Sequence, residues 1–267
     1  MDKSAISFRN VTGADFKKFT DKKLVAFDLD GTLTRSKAPL EAKMATVLHR
    51  LLKRKKVAVV SGGAKKQYEK QFLNNLGLSP EDTANLFLFP TNGSAFYSFE
   101  KGSLTQRYAE NFTPEQKQKI LSAIQEAFQR TNFTPDARIY GELIEDRDSQ
   151  ITFSGLGQEA PVELKKAWDP DRTKREPIKA VLDELLPDFE IKINSSSSID
   201  ITKKGIDKAY AIRKICENLD LKIGDILFVG DALFPGGNDS AVLRTGIDAV
   251  EVTGPEETVE LINRILA

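Results

Sequence analysis

The sequence predicts an α/β fold, a parallel sheet alternating with helices and interrupted by a second, α+β domain. Three observations carry this. Short apolar runs at 23–28, 57–60, 86–89, 226–229 and 249–252 each end in polar or turn-forming residues, the pattern of strands buried on both faces. Segments of helical period lie between them, as parallel crossovers require. From about 94 to 203 the pattern changes to hairpins mixed with helices.

In chain order, residues 4–22 are polar with spaced Phe8, Phe16 and Phe19, and read as a short helix on the outside of a domain. The first strand is 23–28. Leu40, Met44, Val47, Leu48, Leu51 and Leu52 give 39–55 a helical apolar face. The strand 57–60 ends at Ser61-Gly62-Gly63, a helix over 64–76 is closed by Gly77, and 86–89 is the third strand. Thr113 and Pro114 open a long amphipathic helix as N-cap and first helical residue. Strands at 138–144 and 150–154 flank a turn at 145–149, a helix covers about 173–186, and strands near 189–193 and 198–202 flank a turn in the serine run 195–198. The first pattern then returns, with a helix at 205–218, the strand 226–229, a helical turn at 241–245, the strand 249–252 and a closing helix at 255–266. The predicted division is a discontinuous core of 1–93 and 204–267 with an inserted domain at 94–203.

Composition narrows the chemistry. The 267 residues carry 39 basic and 39 acidic side chains, so nothing favours a nucleic-acid partner. One Cys, Cys216, and one His, His49, leave no disulfide and no metal site built on two histidines or several cysteines. Cys216 and His49 both read as helix packing. No apolar run approaches membrane-spanning length, and the first five residues lack the apolar core of a signal peptide. A cytoplasmic protein without membrane partners is expected, its chemistry resting on Asp, Glu, Lys, Arg, Ser or Thr.

Four constellations carry that chemistry. Asp28 and Asp30, in Asp28-Leu29-Asp30-Gly31-Thr32-Leu33-Thr34, follow a buried strand, and residues two apart on an extended chain project to one side. Carboxylates gathered at a strand's carboxyl end call for a hard divalent cation, and Mg²⁺ takes one or two carboxylates together with substrate phosphate. Asp231 ends another buried strand, with Asp239 following in Gly236-Gly237-Asn238-Asp239, adding acidic ligands. Ser61, Gly62 and Gly63 place a hydroxyl and open backbone N–H groups before a helix, where an anion would bind. Lys208 opens a later helix and gains meaning only beside the other three. The string Gly155-x-Gly157-x-x-Ala160 fits a dinucleotide fingerprint by letter alone, because it lies in the inserted domain after a hairpin strand.

These residues, in this order, resemble the haloacid dehalogenase superfamily of phosphohydrolases and phosphotransferases. The resemblance implies a Rossmann-like core with an inserted type IIB cap. Within that superfamily, Phe89-Pro90-Thr91-Asn92-Gly93, Ser198-Ile199-Asp200, Gly205-Ile206-Asp207-Lys208 and the segment Gly230 to Asp239 resemble eukaryotic-type phosphomannomutases over about residues 23–267. The resemblance implies that Asp28 is a nucleophile forming an aspartyl-phosphate and that Asp30 is its acid and base. It implies Mg²⁺ held by Asp28, the Asp30 carbonyl and Asp231, with Asp239 in or near the second shell, and Lys208 neutralising charge.

It also implies substrate contacts from Arg147, Ser198, Asp200, Lys37 and Lys165. Arg147, Ser198 and Asp200 match the mutase pattern. Gln158 stands where the family has a second arginine, and Lys37 and Lys165 fall near two more. Ser61 also departs, since the mutases carry Gly there and ordinary phosphatases of the superfamily carry Ser or Thr. Arginine grips phosphate bidentately and lysine does not, so the expectation is a phosphatase acting on a small phosphorylated metabolite, a sugar phosphate. The competing readings are a mutase and a catalytically silent binding protein. Family mutases can dimerise through the cap, so the resemblance makes a homodimer one option, while the sequence itself leaves the oligomeric state open.

Overall fold

The computed structural model describes residues 4–194 and 196–267, Asn194 by its backbone only. Ser195, within the predicted serine turn, and Met1 to Lys3, within the N-terminal reading, lie outside the described residues.

The chain divides into two units, 1–109 with 207–267, and 110–206. In the first, β1 (Ile6–Ser7), β2 (Leu24–Phe27), β3 (Lys56–Val60), β4 (Leu86–Phe89), β5 (Ala95–Glu100), β6 (Ser103–Ala109), β11 (Ile226–Gly230) and β12 (Asp248–Glu251) form one sheet in the order β1-β12-β11-β2-β3-β4-β5-β6. All pairs are parallel except β4–β5 and β5–β6. The inserted domain therefore begins later than the predicted residue 94. Residues 95–109 form an antiparallel hairpin on the core sheet, turned at Lys101-Gly102, both with positive φ.

Period-two alternation sends Val25, Phe27, Val57 and Val59 to one face of the sheet. They pack there with α1 (Gly13–Thr20), α2 (Ala42–Leu52) and α9 (Pro255–Leu266) through Phe16, Phe19, Leu48, Leu51 and Ile262. Leu24, Ala26, Ala58, Val60 and Phe228 face the other way, against Ile212 and Ile215 of α8 (Lys208–Leu219). Two buried faces explain why these strands read as continuous apolar runs. The segment after β3 is helical in three pieces: α3 (Lys65–Tyr68), a π-helical turn (Glu69–Leu73) and α4 (Asn74–Leu76), closed by Gly77 at φ 67°.

In the second unit, β7 (Ile144–Asp146), β8 (Gln150–Ser154), β9 (Phe189–Asn194) and β10 (Ser198–Lys203) make an antiparallel sheet in the order β7-β8-β10-β9. The hairpin strand expected at 138–144 lies at 144–146 instead; Tyr140 and Glu142 bond to the 156–159 loop rather than pairing along β8. Ile151, Phe153, Ile199 and Ile201 pack on α5 (Pro114–Arg130) and α7 (Arg175–Leu185) through Ile120, Ile124, Ile178 and Leu182. Thr113 caps α5 with Pro114 in its first turn, as the sequence predicted, and Gln116 completes a capping box that was not anticipated. The helix α6 (Val162–Trp168) was not anticipated. The fingerprint-like glycines have structural reasons: a Cβ at Gly155 would overlap the Trp168 ring, and Gly157 has φ 85° against the Tyr140 carbonyl.

Candidate active site

The strand order β3-β2-β11 sets three carboxyl ends side by side, the crevice where open α/β sheets place ligands. Phe27 is in register with Val229, and the Asp28 N–H donates to the Val229 carbonyl at 2.9 Å. Asp28 and Asp231 thus leave adjacent strands.

Asp28, Asp231 and Asp239 bring carboxylate oxygens within 4.8 Å of one another. Lys208, 1% exposed, donates to Asp28 Oδ1 at 2.6 Å and forms a very short ion pair with Asp239. It is the first residue of α8, whose N-cap Asp207 accepts from the Tyr210 N–H at 3.0 Å. A cation is disfavoured at a helix N-terminus, so its place there depends on the two carboxylates. The other Asp239 oxygen accepts the Ala232 N–H at 3.0 Å, which fixes the orientation of the carboxylate. Thr32 Oγ1 donates to Asp231 at 3.3 Å. Gly31, at φ 87°, lies so close to Asp231 that a Cβ would run into the carboxylate, which gives the glycine of the D-x-D-G-T string its reason.

Burial is the largest influence on Asp28 and pushes its pKa well above the carboxylate range; Lys208 opposes this, while Asp239 and Asp231 add to it. Asp231 is raised by burial and then by the Asp239 charge. For Lys208, burial works against the ammonium, but Asp239 and Asp28 outweigh it and hold its pKa above the usual lysine value. One ammonium among three carboxylates leaves negative charge uncompensated. An all-oxygen set with that surplus fits a hard divalent cation.

The Asp30 carboxylate does not join this cluster. It accepts from the Lys37 backbone N–H at 2.6 Å, Gln67 Nε2 at 2.7 Å and Gln71 Nε2 at 2.8 Å. Of its atoms, only the carbonyl remains for the metal role that the resemblance implies. Lys37, at φ 55°, is exposed, and it is its backbone N–H that bonds to Asp30. Ser61 follows β3 and is buried; its Oγ accepts the Gly63 N–H at 3.1 Å. That amide is already used within the loop, which removes Gly63 from the predicted anion donors in this state. The Tyr68 hydroxyl donates to the Phe89 carbonyl at 3.1 Å, and burial, then the Asp28 charge, push the phenol well above its ordinary value.

In the second unit, Ser198 and Asp200 alternate on one face of β10, opposite Ser154 and Thr152 of β8, and Asp200 accepts from Thr152 Oγ1 at 2.8 Å. Arg147 pairs with Glu145 at 2.6 Å and donates to Gln158 Oε1 at 3.3 Å. Lys165 is buried and donates to the Gln158 carbonyl at 2.7 Å. Arg175, 2% exposed, is locked on Asp169 at 2.7 Å and donates to the Ser198 carbonyl at 3.3 Å, steadying the start of β10. Gln150 Oε1, Gln158 Nε2 and Ser197 Oγ are buried without hydrogen-bond partners.

Gln67, Gln71 and Thr152 were not singled out from the sequence. For Gln67 and Gln71 a signal existed: the i, i+4 spacing on the helix following Ser61 puts both amides on one face.

Fold and site together describe a doubly wound α/β protein with an acidic cluster and a lysine at its strand ends. The chain belongs to the haloacid dehalogenase-like hydrolase family, whose profile matches residues 25–245. It is 27% identical over 263 residues to a phosphomannomutase of Encephalitozoon cuniculi, covering 92% of this chain and 94% of that protein. It is 27% identical over 258 residues to a phosphomannomutase of Schizosaccharomyces pombe, covering 91% and 94%. Among solved structures, the C-terminal domain of Candida albicans trehalose-6-phosphate phosphatase aligns over 98% of each chain with a TM-score of 0.66 and 15% identity. A truncated Plasmodium falciparum IMP-nucleotidase aligns over 94% of this chain and 70% of that one, with a TM-score of 0.65 and 15% identity. These two share the fold. Among the described residues, no helix is long and apolar enough to cross a membrane.

Proposed function

We propose that the protein is a Mg²⁺-dependent phosphatase that hydrolyses a small phosphorylated metabolite, a sugar phosphate, through an aspartyl-phosphate on Asp28. The observation that carries the phosphoryl chemistry is Asp28 itself, buried beside Lys208 within a cluster of three carboxylates at two adjacent strand ends. An Asp28 oxygen attacks phosphorus, and the P–O bond to the leaving group breaks. The leaving oxygen takes a proton from Asp30. Asp30 then removes a proton from water as that water attacks the phospho-Asp28 phosphorus, releasing inorganic phosphate and restoring the carboxylate. Lys208 stays an ammonium throughout and offsets charge at Asp28, while the Ser61 hydroxyl donates to a phosphoryl oxygen. Mg²⁺, held by Asp28, Asp231 and the Asp30 carbonyl with Asp239 beside them, would supply positive charge against the phosphoryl oxygens.

Hydrolysis, rather than mutase chemistry, is supported by the state of the cations in the second unit. A mutase must retain a bisphosphorylated sugar, which needs a strong cationic cradle. Arg147 is engaged with Glu145, Lys165 with a carbonyl, Arg175 with Asp169, Lys166 with Glu163, and Lys174 lies 4.8 Å from the Trp168 ring centroid. A sugar's neutral hydroxyls need no such cradle. Ser198 and Asp200 would read those hydroxyls.

A second reading, a phosphomannomutase-like mutase, is favoured by the relatives matched along most of the chain, which carry that name. The deciding experiment incubates the protein with mannose 1-phosphate, trace bisphosphate and Mg²⁺, and measures free phosphate and mannose 6-phosphate together. Phosphate release as the main product supports the phosphatase; mannose 6-phosphate formed many times faster overturns it in favour of the mutase.

A further inference from the structure

We propose that Gln67 and Gln71 are positioning residues that aim the Asp30 carboxyl for proton transfer, an inference that rests on the role given to Asp30 above. Asp30 has two rotatable side-chain bonds and sits on a loop just beyond a strand end. A group that must give a proton to one oxygen and take one from another needs a fixed plane. Three donors supply it. Gln67 Nε2 reaches Oδ2 at 2.7 Å, while Gln71 Nε2 and the Lys37 N–H reach Oδ1 at 2.8 and 2.6 Å. Both carboxylate oxygens are thus held, Oδ1 by two donors and Oδ2 by one. Amides do not titrate near neutrality, so they orient the group without competing for its proton.

Gln71 does more than one task. Its Nε2 lies 3.1 Å from Thr34 Oγ1, and its backbone carbonyl accepts the Leu40 N–H at 2.8 Å. One residue therefore ties down Asp30, Thr34 and Leu40, spanning the whole 30–40 loop. Gln71 lies in the π-helical turn Glu69–Leu73 and is 5% exposed. Such turns are rare and concentrate at functional sites. A buried glutamine kept only for packing would not need its amide on the one carboxylate of the motif that stands outside the cluster.

The test separates aiming from general damage by leaving-group dependence. p-Nitrophenolate departs without a proton, whereas phenolate from phenyl phosphate departs much more slowly without one. Gln67→Leu and Gln71→Leu keep chain length and remove the amide donors, and circular dichroism checks the fold. Gln67 is half-buried, so Gln67→Leu carries the test by itself if Gln71→Leu fails to fold. Pre-steady-state release of p-nitrophenol should stay near that of the unaltered protein, while phenol release falls at least about tenfold, a modest part of the usual acid–base contribution. Equal falls on both esters, or no fall on either, would overturn the positioning role and leave the phosphatase reading standing. If the unaltered protein turns over neither ester, the phosphatase reading fails and takes this proposal with it.

Discussion

Replacing Lys208 by Met tests the electrostatics of the site most directly. The side chain is 1% exposed and donates to Asp28 at 2.6 Å and to Asp239 in a still shorter pair. Methionine fills a similar volume but leaves Asp28, Asp231 and Asp239, whose oxygens converge within 4.8 Å, with no cation. Removing one partner of a buried ion pair typically destabilises by about 3–5 kcal/mol. Two hydrogen bonds to charged groups at about 1.5–3 kcal/mol each give about 3–6 kcal/mol, which covers that range. With a urea slope near the upper end for small proteins, about 3 kcal/mol per molar, the midpoint should fall by roughly 1–1.7 M. Mg²⁺ should raise the midpoint of Lys208→Met more than that of the unaltered protein, because a divalent cation stabilises the state it binds and the variant leaves more charge for it to offset. The assay is urea unfolding followed by circular dichroism, with Mg²⁺ and with chelator. A loss below about 1 kcal/mol in chelator, within the range of exposed pairs, would refute the claim that Lys208 is the main compensating charge.

Asp28→Asn should abolish phosphate release with an unchanged circular dichroism spectrum, and Asp30→Asn should lower kcat by about 10²–10⁴-fold; near-normal turnover in either, measured by phosphate release, contradicts the assigned role. Gly31→Ala should lower both the unfolding midpoint and Mg²⁺ affinity, since a Cβ would strike Asp231 at a backbone φ of 87°; calorimetric Mg²⁺ titration of the folded variant reads this directly. Ser198→Ala and Asp200→Ala should each raise KM for the best sugar phosphate more than for p-nitrophenyl phosphate, and equal effects on the two would mean that β10 does not read the sugar.

Much of the core was legible because a strand buried on both faces must be apolar along its length. The runs at 57–60, 86–89 and 226–229 therefore announced β3, β4 and β11. Pro255 opens α9 where the sequence placed a helix start. The hairpin β5–β6 escaped because it is an edge: β6 is half exposed, so Ser103 to Ala109 carries no apolar run. The strand expected at 138–144 failed for a related reason, since alternating apolar residues there serve loop contacts to 156–159 rather than a ladder. Lys37 looked like a cation near the site, yet its backbone turn, not its charge, touches Asp30.

The sequence by itself determined the class of fold and which acidic residues end strands, because burial, turn chemistry and two-residue periodicity are local properties of the chain. It did not determine which of those carboxylates meet. Asp28, Asp231 and Asp239 converge because β11 pairs beside β2 and α8 delivers Lys208 between them. Asp30, two residues from Asp28, is drawn away by Gln67 and Gln71. Only the tertiary structure decided that split, because a carboxylate's partners are set by distance in space and by the donors that packing brings within about 3 Å, neither of which is written in spacing along the chain.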